Sequence, residues 1–148
     1  MKKSSCFSLA GAPVPVDVGA LPAPLPVYGG TLVTEIACNW KVCVEHVLAE
    51  HMPSADFTWA WPLLMVRRAG AVTIIEQVVP HTFLRTRLLT HVFGGAADEH
   101  QQAAATIKHV CERLQADRNE GKPAADGALV AIFHRQLGHA YAQDRATT

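Results

Sequence analysis

The chain carries 8 histidines, 4 cysteines and 13 carboxylate side chains, and the spacing between them decides which could act together. His46 and Glu50 stand four residues apart and would share one face of a helix. That spacing can hold a divalent metal, and it equally suits a solvated pair. His51 follows directly. His100 and His109 fall on a later segment and His134 and His139 on the last, without the clustered short spacing of a metal centre. Cys6, Cys38, Cys43 and Cys111 include no Cys-x-x-Cys pair, which implies reduced, buried thiols in a cytoplasmic chain. A 2Fe–2S cluster held by two thiolates and two imidazoles needs Cys-x-His and then Cys-x-x-His. Cys43-x-x-His46 matches the second half alone, and neither Cys6 nor Cys38 has His two residues later, so no 2Fe–2S cluster is expected. There is no glycine-rich phosphate loop, no Gly-x-Ser-x-Gly elbow and no Ser-His-Asp order.

The elements that must position these residues belong to one domain. With 148 residues, 49% of them apolar and 18% charged, a substantial core is expected. Net charge is zero, which gives no electrostatic case for nucleic acid. No apolar run has the length of a bilayer-spanning helix, and no membrane association is expected. The N-terminal Lys2-Lys3 precedes an apolar stretch too short and serine-interrupted for a signal peptide, with Pro13 and Pro15 close behind. Residues 1–30, ending in Gly29-Gly30, read as a proline-rich extended arm, and 31–148 as a single domain.

Thr31 to Ala37 is rich in β-branched residues and is predicted as a strand. Asn39 is a suitable N-cap for a helix whose inward stripe is Trp40, Val44, Val47, Leu48 and His51, stopped by Pro53. From Phe57 the period becomes two, with Phe57, Trp59 and Trp61 on one face, and the segment runs through Pro62 to Val66. Arg67-Arg68-Ala69-Gly70 reads as a solvated turn. Val72 to Val79 and Phe83 to Phe93 complete an antiparallel meander of three strands. Asp98 is predicted to cap a helix with the stripe Ala103, Ile107, Val110, Cys111 and Leu114, closed by Gly121 and Pro123. The last helix should bury Leu129, Ile132, Phe133, Leu137, Ala140 and Tyr141. The fold class is α+β.

Asn39-Trp40-Lys41 with Glu45 resembles the opening of the catalytic domain of Rieske-type ring-hydroxylating oxygenases, in their alpha subunit. Three later segments are similar to the same family in the same order. They are Phe57-Thr58-Trp59-Ala60-Trp61-Pro62-Leu63-Leu64-Met65; Glu76 to Pro80 followed by Arg85-Thr86-Arg87; and Cys111-Glu112-x-x-Gln115 with Phe133-His134-Arg135. The resemblance spans residues 31–142. It implies a helix-grip, START-like core in which a curved antiparallel sheet packs on a long C-terminal helix.

In that family two histidines and one carboxylate hold a mononuclear non-haem iron, a ligand set that leaves positions open for oxygen and substrate. Here His51 matches the first ligand and Glu50 the acidic residue beside it. The second histidine is missing, and the carboxylate would fall near Ile107 or Lys108. Asp56 could substitute for the absent histidine, and His109 or Glu112 could reach in from the later helix. Much of the family's sheet and pocket wall is deleted after Asp56.

The reading is therefore a shortened, degenerate relative that binds a small apolar or aromatic molecule or serves as an accessory subunit. No cofactor is expected. Trp59, Trp61, Phe133, Leu137 and Tyr141 are the predicted ligand-contact residues. The alternative is an Fe(II) oxidoreductase built on His51, with Asp56 and His109 as substitute ligands and Glu50 and His51 as catalytic candidates. Uncovered strand faces left by the deletion predict a homo-oligomer, a dimer or trimer.

Overall fold

The computed structural model describes residues 25–51, 56–123 and 126–147, the side chains of 145–147 excepted. Strand β1 (Tyr28–Ile36) leads into helix α1 (Trp40–Ala49); β2 (Phe57–Ala60), β3 (Leu64–Ala69), β4 (Val72–Thr82) and β5 (Arg85–Phe93) follow. A short 3-10 turn (Ala97–His100) then enters α2 (Gln101–Asn119), and α3 (Ala128–Thr147) ends the chain. The strands form one antiparallel sheet in the order β1-β5-β4-β3-β2, and the three helices lie against it to give the expected α+β, helix-grip type of architecture.

The predicted arm lies outside the described residues up to position 24, and the first strand begins at Tyr28, earlier than the prolines and glycines suggest. Gly29 is what permits this. A side chain there would run into the Gly95 carbonyl, so only glycine lets the start of β1 lie this close to the end of β5. The predicted helix stop at Pro53 also lies outside the described residues.

The stretch from Phe57 to Val66 is two strands, not one. Pro62 has no N–H to give a ladder, and the chain reverses at Trp61–Leu63, across a cis Trp61–Pro62 bond, to pair Trp59 with Met65. The meander therefore has four strands. Arg67 and Arg68 are not a turn; they lie in β3, and Gly70-Ala71 makes the two-residue reversal, with Gly70 at φ 60°. Phe83 and Leu84 sit exposed in the β4–β5 connection, ahead of the strand they were expected to begin.

Register sets the two faces of the sheet. Trp59, Met65, Glu76, Thr90 and Leu32 stand in one row across all five strands, facing the same way as Phe57, Arg67, Val78 and Leu88. Most of these belong to the core that α1 completes with Val44, Val47 and Leu48. The expected single stripe of α1 is too narrow. Val42, Cys43 and Glu45 are buried as well, because α2 and α3 pack on the sides the sheet leaves free.

Helix α2 is rolled from the predicted stripe. Ala104, Cys111 and Gln115 are buried while Ile107 and Leu114 are half-buried, and the 3-10 turn, not an Asp98 cap, starts it. On α3, Leu129, Val130, Phe133 and Gln136 are buried, Leu137 is half-buried, and Tyr141 is exposed, against the expectation that it would finish the buried stripe. The reason is reach: α3 packs on α1 and meets the sheet through Phe133 at the β2 edge, and Tyr141 lies past the sheet, against the half-buried Lys41 in the first turn of α1.

Candidate functional site

Five of the residues that carry the resemblance, Asn39, Glu45, Thr86, Glu112 and Gln115, gather around the β1–α1 junction and the helix it starts. Asn39 caps α1, its side-chain oxygen accepting the Lys41 N–H at 3.0 Å. Its backbone N–H donates to Gln115 Oε1 at 2.9 Å, and its amide donates to the Phe83 carbonyl at 2.8 Å. Glu112 accepts the Ala37 N–H at 2.9 Å, and Thr86 donates to the Cys38 carbonyl at 2.8 Å. Glu45, 2% exposed, is held by Arg118 Nη2 and His134 Nε2, each 2.9 Å from Oε2, and so ties α2 and α3 to α1. These residues hold three helices to one turn of chain.

Trp59, Trp61 and Phe133 pack on one another. Ring centroids are 5.6 Å apart for Trp59–Trp61, 6.1 Å for Trp59–Phe133 and 5.6 Å for Trp61–Phe133, at tilted or edge-to-face angles. Trp59 is 1% exposed, and its N–H reaches the Pro62 carbonyl at 3.3 Å. Leu137 packs beside this group; Tyr141 lies at the surface, accepting from Lys41 Nζ at 3.0 Å. The rings close as core.

The open space lies elsewhere. A cleft of about 450 Å³ sits between α1, α2 and the β3–β4 pair. Helix α1 contributes His46, Val47, Glu50 and His51, the sheet Arg67 and Glu76, and α2 Ala103, Thr106, Ile107 and Val110. Helix periodicity places His46, Val47 and Glu50 together, and the rolled α2 turns its half-buried Ile107 toward them.

His51 lies flat on Phe57 with centroids 4.3 Å apart and an interplanar angle of 12°. Its Nδ1 is 2.7 Å from the Val47 carbonyl, which can only accept, so Nδ1 carries a proton, and in the neutral ring Nε2 is the nitrogen with the lone pair. Burial holds the His46 pKa below the ordinary imidazole value, against the opposing pull of the Glu50 and Glu76 carboxylates and with a smaller push from His51. Glu50 is exposed at the end of α1.

Glu76 and Arg67 are the residues of this cleft that sequence reasoning missed. Glu76 is 1% exposed, and Arg67 donates from Nε to its Oε1 at 2.6 Å. Glu76 Oε2 has no hydrogen-bond partner among the described residues. The signal was available: a carboxylate inside the apolar run Ile74-Ile75-Glu76 needs a cation, and Arg67 is the diagonal neighbour of Glu76 across the ladder through Met65.

The structure gathers the iron-ligand candidates only in part. His51 lines the cleft; Asp56 is exposed just before β2, and His109 is exposed on α2, neither among the cleft residues. Near Ile107 or Lys108, where the resemblance places a carboxylate ligand, Ile107 offers hydrocarbon and Lys108 a cation bonded to Glu112. No three His, Cys, Asp or Glu side chains stand together in a way that could hold a metal ion among the described residues. The donor set does not fit a two-histidine, one-carboxylate iron site. The described thiols, Cys38, Cys43 and Cys111, are buried together in the core. The Cys38 pKa is raised by its hydrogen bond with Cys111 and by burial. That of Cys111 is also raised, its bond to Cys38 being outweighed by its bond to Cys43 and by desolvation.

This arrangement of sheet and helices is the fold of the Rieske oxygenase catalytic domain. It is similar to apo dicamba monooxygenase (TM-score 0.58, 13% identity, covering 90% of this chain and 64% of that one). It is also similar to the quaternary ammonium Rieske monooxygenase CntA, in its apo form (TM-score 0.54, 17% identity, 78% of this chain and 47% of that one). The CntA complex with its substrate L-carnitine gives a TM-score of 0.56 at 16% identity, with 78% and 48% covered. The chain thus spans less than two-thirds of each of these proteins. No protein-family model and no curated protein matches the sequence. Among the described residues no helix is long and apolar enough to cross a membrane.

Proposed function

We propose that the chain binds a small, mostly apolar or aromatic molecule in the cleft between α1, α2 and the β3–β4 pair, and that it does so without a resident iron. The observation that carries this reading is the cleft of about 450 Å³, a size suited to a small ligand, with Ile107, Val47 and Val110 as its hydrocarbon surface. The carboxylate ligand implied by the resemblance would fall near Ile107 or Lys108, and Ile107 instead gives the cleft apolar area. The role is that of a binding or accessory subunit in a cytoplasmic setting, consistent with the free thiols of Cys38, Cys43 and Cys111.

The alternative is an Fe(II) oxidoreductase on His51 with Asp56 and His109 as substitute ligands. It is favoured by one observation, the Nδ1 bond that leaves Nε2 of His51 open, and it requires Asp56 and His109 to move. Titrating small aromatic compounds while following the imidazole resonances of His46 and His51 tests the binding reading. Saturable shifts at both are expected. Shifts confined to surface histidines such as His139 would overturn it.

A further inference from the structure

A buried carboxylate with one oxygen paired and the other bare is destabilising if nothing ever satisfies it. Glu76 is such a group. It is buried, Oε1 takes the Arg67 Nε–H, Oε2 has no partner among the described residues, and the residue lines the cleft. Arg67 lines the cleft too. Its Nε is engaged by Glu76, so its terminal nitrogens are the donors a bound molecule would meet. The cleft therefore sets an acceptor and donors side by side on the sheet wall, opposite the hydrocarbon of Ile107 and Val110.

We propose that the Glu76–Arg67 pair selects a flat, apolar molecule bearing one neutral donor–acceptor group, such as a primary carboxamide or a phenolic hydroxyl. The ligand donates to Glu76 Oε2 and accepts from Arg67, while its ring lies on Ile107 and Val110. This rests on the reading of the cleft as a ligand site and adds the class of ligand. An anionic carboxylate is disfavoured because it can only accept, and because Glu50 and Glu76 outnumber Arg67 in formal charge. A bare hydrocarbon is disfavoured because it leaves Oε2 desolvated and unpaired, and a missing partner is what discriminates strongly in such sites.

The experiment uses the wild-type chain and four probes: benzamide, phenol, toluene and benzoate, each titrated against the His46 and His51 imidazole resonances. Benzamide and phenol should bind about tenfold or more tightly than toluene, the ratio that one hydrogen bond to a charged group supplies. Benzoate should be no tighter than toluene. Glu76→Gln should bring benzamide to within about twofold of toluene, and Ile107→Trp should abolish the shifts for every probe by filling the cleft. Toluene binding as tightly as benzamide would overturn the selection by Glu76 and Arg67 while leaving the cleft a ligand site. No saturable shift with any probe would overturn both. The comparison of probes on the wild-type chain needs no variant to fold.

Discussion

The side-chain oxygen of Gln115 accepts the backbone N–H of Asn39 at 2.9 Å, inside the protein and across 76 positions of sequence. Asn39 begins α1 and Gln115 lies on α2, so this bond fixes where the first helix starts relative to the second. Gln115→Ala would leave a buried N–H without a partner. The expected cost is about 1–3 kcal/mol of unfolding free energy by urea titration, with the m-value unchanged. A loss below a few tenths would show that the junction finds another acceptor.

Glu112, the neighbouring landmark, responds to acid. Its hydrogen bond from Lys108 and then that from the Ala37 N–H hold its carboxyl below the usual carboxylate range. A depressed folded pKa means that the contribution is fully present above the ordinary Glu value and is lost as pH falls through the lower, folded one. Wild type should therefore lose its advantage over Glu112→Gln as pH drops below about 4. Equal acid sensitivity of the two, measured by thermal unfolding against pH, would contradict this.

His46 supplies a second pH signature. Burial lowers its folded pKa, so the unfolded chain binds the proton more readily, and stability rises with pH through the ordinary imidazole range. A histidine NMR titration should place His46 below the ordinary imidazole value. A His46 midpoint at or above the ordinary imidazole value would show that the Glu50 and Glu76 carboxylates outweigh desolvation.

Phe133 joins α3 to the sheet through its contacts with Trp59 and Trp61. Phe133→Ala should cost about 3–5 kcal/mol, as removal of a buried aromatic ring does. It should also shift tryptophan emission to the red as Trp59 gains solvent. A shift in stability without a change in emission would locate the damage elsewhere.

Metal content separates the two functional readings. Protein purified without a histidine tag should carry no stoichiometric iron and no visible sulfur-to-iron charge-transfer absorption. About one iron per chain, lost in His51→Ala and kept in His46→Ala, would establish the alternative reading. Oligomeric state is a separate matter. Among the described residues β1 is an edge strand, with Tyr28 and Val33 exposed and Val27 just ahead of it 86% exposed, whereas the other edge, β2, has only four residues. A dimer or trimer is expected by light scattering, and a monomer mass across a wide concentration range would count against it.

The sequence by itself determined the order of elements, the Asn39 cap, the alternation of Phe57 and Trp59 and the likeness to the Rieske oxygenase catalytic domain. These rest on local spacing and on residues such as Asn39, Glu45, Glu112 and Gln115, whose hydrogen bonds secure the frame; that is why they mark the fold and say nothing of its chemistry. The break at Pro62 was written in the missing N–H, yet the periodicity carried the strand through it, since alternation alone cannot say where a chain reverses. Only the tertiary structure decided the roll of α2, the closure of the tryptophans as core and the position of the cleft. Each depends on which helix face meets which strand, a global balance of burial that no short window of sequence contains. Arg67 and Glu76 illustrate the difference: nine residues apart, one read as turn and the other as strand, they become a site because antiparallel register sets them diagonally across the ladder, under the cover of two helices.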